Sequence, residues 1–240
     1  MLTVGSLFSG IGGLDLGLER AGMEVIWQSE IDPYGCRVLK KHWPEVVNHG
    51  NIKNIDWNTV TRPDIICGGY PCQPFSLAGK RKGEHDDRHL WPIVRNAIEH
   101  LRPRYAILEN VAAHLSLGFG QVLGDLAEIG YDAEWEIVPA AAVGAPHRRN
   151  RVFIIAYPNL QSDLPPRSTL GRNEPSSTEA RRSKIWNQHS GCSRWPTEPS
   201  VSRVDDGVPF GVDRIRGLGN AVVPQVAELI GRMVIDYDNQ

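Results

Sequence analysis

The sequence predicts an α/β fold, a mostly parallel sheet with helices on both faces. Three observations carry that reading. Short apolar runs alternate with amphipathic stretches from Leu2 to Tyr157, the pattern of repeated strand–helix units. A glycine turn, "SGIGG" at 9–13, separates the first apolar run from the first helix, which in an open α/β sheet is where ligands bind. The carboxylates Glu30 and Glu109 fall at the ends of apolar runs, on what becomes one sheet edge if the strands are parallel.

The elements follow in order. "LTVGSLF" reads as a buried first strand. The helix after the glycine turn places Leu14, Leu18 and Ala21 at helical spacing and closes at Gly22. "EVIWQSEID" is a second strand ending in acids, and "PYGCRVLKKHWP" is a helix bounded by Pro33 and Pro44. "DIICGG" is a third strand and "HLWPIVRNAIEHL" a helix. "YAILEN" is a strand, "QVLGDLAEIGY" a helix, and "EWEIVPA" and "RVFIIAY" are strands. After Tyr157 the pattern stops. Residues 158–208 are rich in Pro, Ser, Thr, Arg and Glu, with little periodicity. Order resumes at 209–240, where Val226, Leu229, Ile230, Met233 and Val234 share one face of a closing helix. The expected organisation is therefore a core at 1–157, an insertion at 158–208, and a segment at 209–240 that returns to the core.

Composition narrows the classes. The chain has 240 residues, 41% of them hydrophobic, enough for one substantial core. A formal charge of -2 excludes a global positive field, so nucleic-acid contacts would have to be local patches. The four cysteines form no C-x-x-C pair, and the eight histidines do not join them at zinc-ligand spacing. Neither a disulfide scaffold nor a metal site is expected. "MLTVGSLFSG" shows no basic stretch followed by an apolar run, and no run is long enough to span a membrane. A reducing, cytoplasmic setting and no membrane partner are the expectation.

Several residues point to chemistry. Gly10, Gly12 and Gly13 let a ligand approach the backbone, and a helix start there favours an anionic group. Glu30, about 20 residues on, is placed to accept bonds from ribose hydroxyls. A nucleoside cofactor follows, although the G-x-G-G spacing does not separate NAD from S-adenosylmethionine. Cys72 sits in a turn between Pro71 and Pro74; restricted motion at little entropic cost suits a fixed nucleophile. Glu109, if buried, is a candidate general acid. Arg149 and Arg151, at i and i+2 entering a strand, would point to one face and grip one polar ligand.

In order, "LFSGIGG", "SEID", "GGYPCQPFS", "ENV", "HRRNR" and "GLGNAVVP" closely resemble the cytosine-5 DNA methyltransferase family. The resemblance runs from about Val4 to Tyr157 and from about Val212 onward. It implies a Rossmann-like class I methyltransferase fold, S-adenosyl-L-methionine as cofactor, and a cytosine flipped out of duplex DNA as substrate. By resemblance Cys72 attacks carbon 6, Glu109 contacts the ring at N3 and the exocyclic amine, and Arg151 contacts the base with Arg149 in support. Phe8, Gly10, Ile11, Gly12 and Gly13 match the cofactor turn. Glu30 matches the ribose acid, Ile31 packs on adenine, and Asn51 and Ile52 match the next cofactor contact. Pro71, Leu90, Asn220 and Val222 complete the pocket. Gln73, Ser76, Lys80 and Arg81 match the loop that closes on DNA.

The chain departs from the family at Asn51, where an Asp is common, and at His147, where a Gln is usual. Its insertion at 158–208 is shorter than the family's target-recognition domain, which implies a short or relaxed target motif. The family further implies a monomer, with a cognate restriction enzyme as a possible partner outside this chain. Three alternatives stand beside this reading: a transfer RNA cytosine-5 methyltransferase, a non-catalytic DNA-binding relative, and an NAD oxidoreductase using the glycine turn.

Overall fold

The computed structural model describes residues 1–71, 90–159 and 211–239. Seven strands form one sheet: β1 (Thr3–Leu7), β2 (Glu24–Ser29), β3 (Val47–Asn48), β4 (Ile65–Gly69), β5 (Tyr105–Val111), β6 (Tyr131–Val138) and β7 (Arg151–Pro158). Their order is β3-β2-β1-β4-β5-β7-β6. Pairings from β3 through β5 are parallel, and β7 pairs antiparallel with both β5 and β6. The expected parallel sheet with helices between its strands is thus present. The reversal of β7 brings the start of that strand to the edge where β1, β2, β4 and β5 end.

The described helices are α1 (Gly13–Arg20), α2 (Pro33–His42), α3 (Trp91–Leu101), α4 (Phe119–Glu128), α5 (Gly211–Asn220) and α6 (Pro224–Asp238). Their starts follow local chemistry. Asp32 caps α2, its Oδ2 accepting from the Gly35 amide at 2.9 Å, and Pro33 takes the first-turn position where no donor is needed. α1 follows Gly12, which holds φ 79°, a left-handed conformation that costs glycine nothing.

Alternation along the strands splits the core into two layers. On one face Ile66, Ala106, Leu108, Val152 and Ile154 pack with Trp91, Val94 and Ile98 of α3 and Val122 and Leu126 of α4. On the other Val4, Ile65, Cys67, Ile107 and Phe153 meet Leu14 and Leu18 of α1 and Val226, Ala227 and Ile230 of α6. Period-two side-chain direction makes this division. α1 and α6 touch closely: a Cβ on Gly17 would lie 2.3 Å from that of Ala227, so a larger residue at 17 would force them apart.

Sequence reading missed β3. It has two residues, both exposed, and shows no period to detect. It also missed a buried polar group beneath the glycine turn. Asp15 looks like the polar side of α1, yet its relative exposure is 0%. Its Oδ2 accepts from Ser6 Oγ at 3.0 Å and its Oδ1 from Gln28 Nε2 at 2.8 Å. These bonds tie α1 to β1 and β2, while burial pushes the carboxyl up to about 6.

Candidate active site

The residues singled out around the glycine turn come together. A cavity of about 500 Å³ is lined by Phe8, Gly10, Ile11, Gly13, Glu30, Ile31, Pro71, Glu109, Arg151, Asn220 and Val222, among others. Its size suits a nucleoside-sized ligand. A cavity of about 1070 Å³ adjoins it, sharing Ile11, Gly13, Arg151 and Val222. The larger one is lined by neither Glu30 nor Glu109; of the two, only the smaller gathers both carboxylates.

Its glycine-turn side is mostly main chain. Phe8 and Gly10 have φ of 53° and 58°. For a bulky residue such as Phe8 this conformation is unfavourable and persists only where the surroundings impose it. A Cβ on Gly13 would lie 2.3 Å from the Val222 carbonyl oxygen, so the returning segment sits directly on the turn. Glu30 fastens the opposite wall: its Oε2 accepts from the Gly10 amide at 2.6 Å, and its Oε1 accepts from the Ile31 and Asp32 amides at 2.8 and 2.7 Å. A carboxylate has about four acceptor sites, so one stays available for a ligand hydroxyl. Ile31 is 66% exposed beside it, an uncovered apolar face.

The opposite side is built from side chains. Glu109 lies within β5 opposite Phe153 of β7, which makes Arg151 its diagonal neighbour on the same face. Arg151 Nε and Glu109 Oε1 are 2.8 Å apart. Burial raises the Glu109 carboxyl to about 6, while Arg151 and then Arg149 pull the other way. The group has reason to be tight: a Cβ on Gly69 would lie 2.8 Å from Glu109 Oε2. Asn110 points to the other face, where its Nδ2 donates to the Tyr70 carbonyl oxygen at 3.0 Å. Glu109 and the Tyr70–Pro71 turn are therefore tied to adjacent residues of one strand.

The expectation for Arg149 is corrected. β7 begins at Arg151, and Arg149 precedes it with φ 36°, so the two do not follow strand alternation. Arg149 Nη2 donates to the carbonyl oxygens of Gly219 and Ala221, both at 2.6 Å. It holds the returning segment, and Arg151 holds Glu109. Asn51, Ile52 and Leu90 do not line the smaller cavity. Asn51 Oδ1 accepts from the Lys53 amide at 3.0 Å, Ile52 is in the core, and Leu90 precedes α3. Gly12 lines the larger cavity. Cys72, Gln73, Ser76, Lys80 and Arg81 lie outside the described residues, as does the insertion from residue 160. Tyr70, Asp213, Arg216 and Gly217 also line the cavity and were not singled out; α5 carries no glycine turn or strand-end acid that would have marked the last three.

Comparison with known proteins identifies the family. The family model for C-5 cytosine-specific DNA methylase matches residues 2–191. The chain is 34% identical over 161 residues to the type II methyltransferase M.BsuFI of Bacillus subtilis, covering 65% of this chain and 39% of that protein. It is 32% identical over 215 residues to the orphan methyltransferase M.Rho11sI of Bacillus phage rho11s, covering 84% and 42%. The chain thus spans about two fifths of the length of these relatives. The S. pombe Dnmt2 methyltransferase superposes with a TM-score of 0.66 at 15% identity, with 100% of both chains covered, a likeness of fold.

Proposed function

Because the chain belongs to the C-5 cytosine-specific DNA methylase family, we propose that it transfers a methyl group from S-adenosylmethionine to carbon 5 of a cytosine in duplex DNA. The observation that carries this is one cavity lined by both the Glu30 wall and the Glu109–Arg151 pair. A methyl donor and a base contact can meet there.

The residues present fit the donor. Gly10 and Gly13 offer backbone without side chains, Glu30 keeps acceptor capacity, Ile31 supplies an apolar face, and Asn220 and Val222 close the far side. When bound, S-adenosylmethionine supplies an electrophilic methyl group. The other roles belong to the chain. Cys72 follows Pro71 at the cavity, and its thiolate adds to carbon 6 of the flipped cytosine. That addition pushes charge onto the ring. Glu109, with a carboxyl near 6, is partly protonated around neutrality and offers a hydrogen bond where the charge develops. Arg151 fixes the Glu109 carboxyl and presents its remaining donors to the base. Gln73, Ser76, Lys80 and Arg81 take the DNA side.

Trapping tests this. Duplex DNA containing 5-fluorocytosine and S-adenosylmethionine should yield a covalent complex with the wild type, because fluorine blocks the final elimination. Cys72→Ser should give none. Equal trapping by both proteins overturns the assignment of Cys72. Methyl transfer to transfer RNA but not to duplex DNA overturns the substrate.

A further inference from the structure

We propose that Tyr70 and His114 form a positioning pair that sets the nucleophile turn relative to Glu109. The inference rests on the reading of Cys72 as nucleophile. Tyr70 directly follows β4, two residues before Cys72 in the sequence, and is 3% exposed. Three contacts with described residues hold it. Its carbonyl oxygen accepts from Asn110 Nδ2, its hydroxyl lies 2.8 Å from His114 Nε2, and its ring packs on Trp91 at 5.1 Å between centroids.

Two of those anchors come from the stretch that carries Glu109. Asn110 is the next residue, and His114 lies in the 3-10 turn Ala112–Ser116 that continues β5. His114 is 2% exposed and meets Tyr70 and Phe119 edge-on at 5.5 and 5.8 Å. A hydroxyl and an imidazole among aromatic rings are costly unless they satisfy each other. Phenylalanine at 70 would fill the same space without that demand. The polar pair therefore adds direction: it fixes the turn laterally from the strand that bears the base-contacting acid. Reacting groups in a transition state tolerate little misplacement, so the fixed relation serves the rate of attack.

The pair predicts a specific kinetic pattern. Nε2 is the His114 atom that meets the Tyr70 hydroxyl, and His114→Gln, whose amide can take its place, is the conservative variant. The readouts are the single-turnover rate of adduct formation on 5-fluorocytosine duplex, KM for S-adenosylmethionine, and the unfolding midpoint. Tyr70→Phe and His114→Leu should each slow adduct formation about tenfold, with KM changed less than about twofold. The double variant should be no slower than either single, because both remove one interaction. His114→Gln should recover most of the rate. The proposal is overturned if Tyr70→Phe, the isosteric change, keeps the wild-type adduct rate, whatever happens to the midpoint. It is also overturned if the two changes multiply. Absence of any adduct with the wild type would instead overturn the underlying assignment of Cys72.

Discussion

Around Gly10 and Gly13 the cavity wall is backbone, shaped by left-handed dihedrals and by the Val222 carbonyl pressed against the turn. Around Glu109 it is a pair of side chains, an acid and an arginine 2.8 Å apart in a mostly buried setting. The two regions fail differently. A backbone wall is sensitive to added volume and insensitive to charge. A side-chain pair is sensitive to the loss of a single functional group while the fold around it persists. Under the proposed function, binding and chemistry are thus open to separate damage, although they share one cavity.

The largest expected separation comes from Glu109→Ala. Losing a positioned acid should lower methyl transfer by about 10²–10⁴-fold, with affinity for S-adenosylmethionine, measured by calorimetry, nearly unchanged. A parallel loss of both would mean the two walls are one unit.

Next is Asp15→Asn, beneath the cofactor wall. The folded carboxyl is raised from 3.8 to about 6, so the native state holds the proton more tightly than the unfolded chain. That contribution is present below about pH 4 and is lost as pH rises through 6, on the order of 3 kcal/mol in all. Asparagine removes the slope. Gln28 can turn its amide to present Oε1, a buried acceptor without a partner, to the new amide nitrogen. Subtracting the variant's unfolding midpoints from those of the wild type across pH 4–8 should give a difference that falls with rising pH. A flat difference would remove Asp15 from the account.

Gly13→Ala should act on the same wall by volume alone. Its Cβ meets main-chain atoms that cannot rotate away, at a cost of about 1–3 kcal/mol, read as a lower midpoint together with weaker cofactor binding. The smallest effect is expected from Ile31→Ala. Removing part of an exposed apolar face should weaken cofactor binding by about 1 kcal/mol, roughly fivefold, without changing the midpoint. A larger loss would show that this exposed side chain carries more of the binding than the buried turn does.

The alternation of strands and helices, the glycine turn and the strand-end acids were legible because each leaves a local pattern. β5 with Glu109 and Asn110 was visible from "YAILEN", one residue short of the observed strand. What stayed hidden depends on partners far away in sequence. Asp15 reads as the wet side of a helix until Gln28 and Ser6 are brought against it. Arg149 and Arg151 read as one grip until a left-handed dihedral at 149 turns the first toward Gly219 and Ala221. Tyr70 is an aromatic residue at the end of an apolar run, and nothing in its neighbourhood announces His114, 44 residues on.

The junction of Val222 with Gly13, clamped by Arg149, also has a meaning in time. A chain leaving the ribosome displays its glycine turn some two hundred residues before the opposing wall at Val222 is synthesised. Until then the turn lacks the Val222 carbonyl that presses against it. Contacts of such long sequence separation form late in folding. A transcript broken before Val222 therefore leaves a chain that carries the glycine turn and Glu109 yet lacks the segment that presses on Gly13.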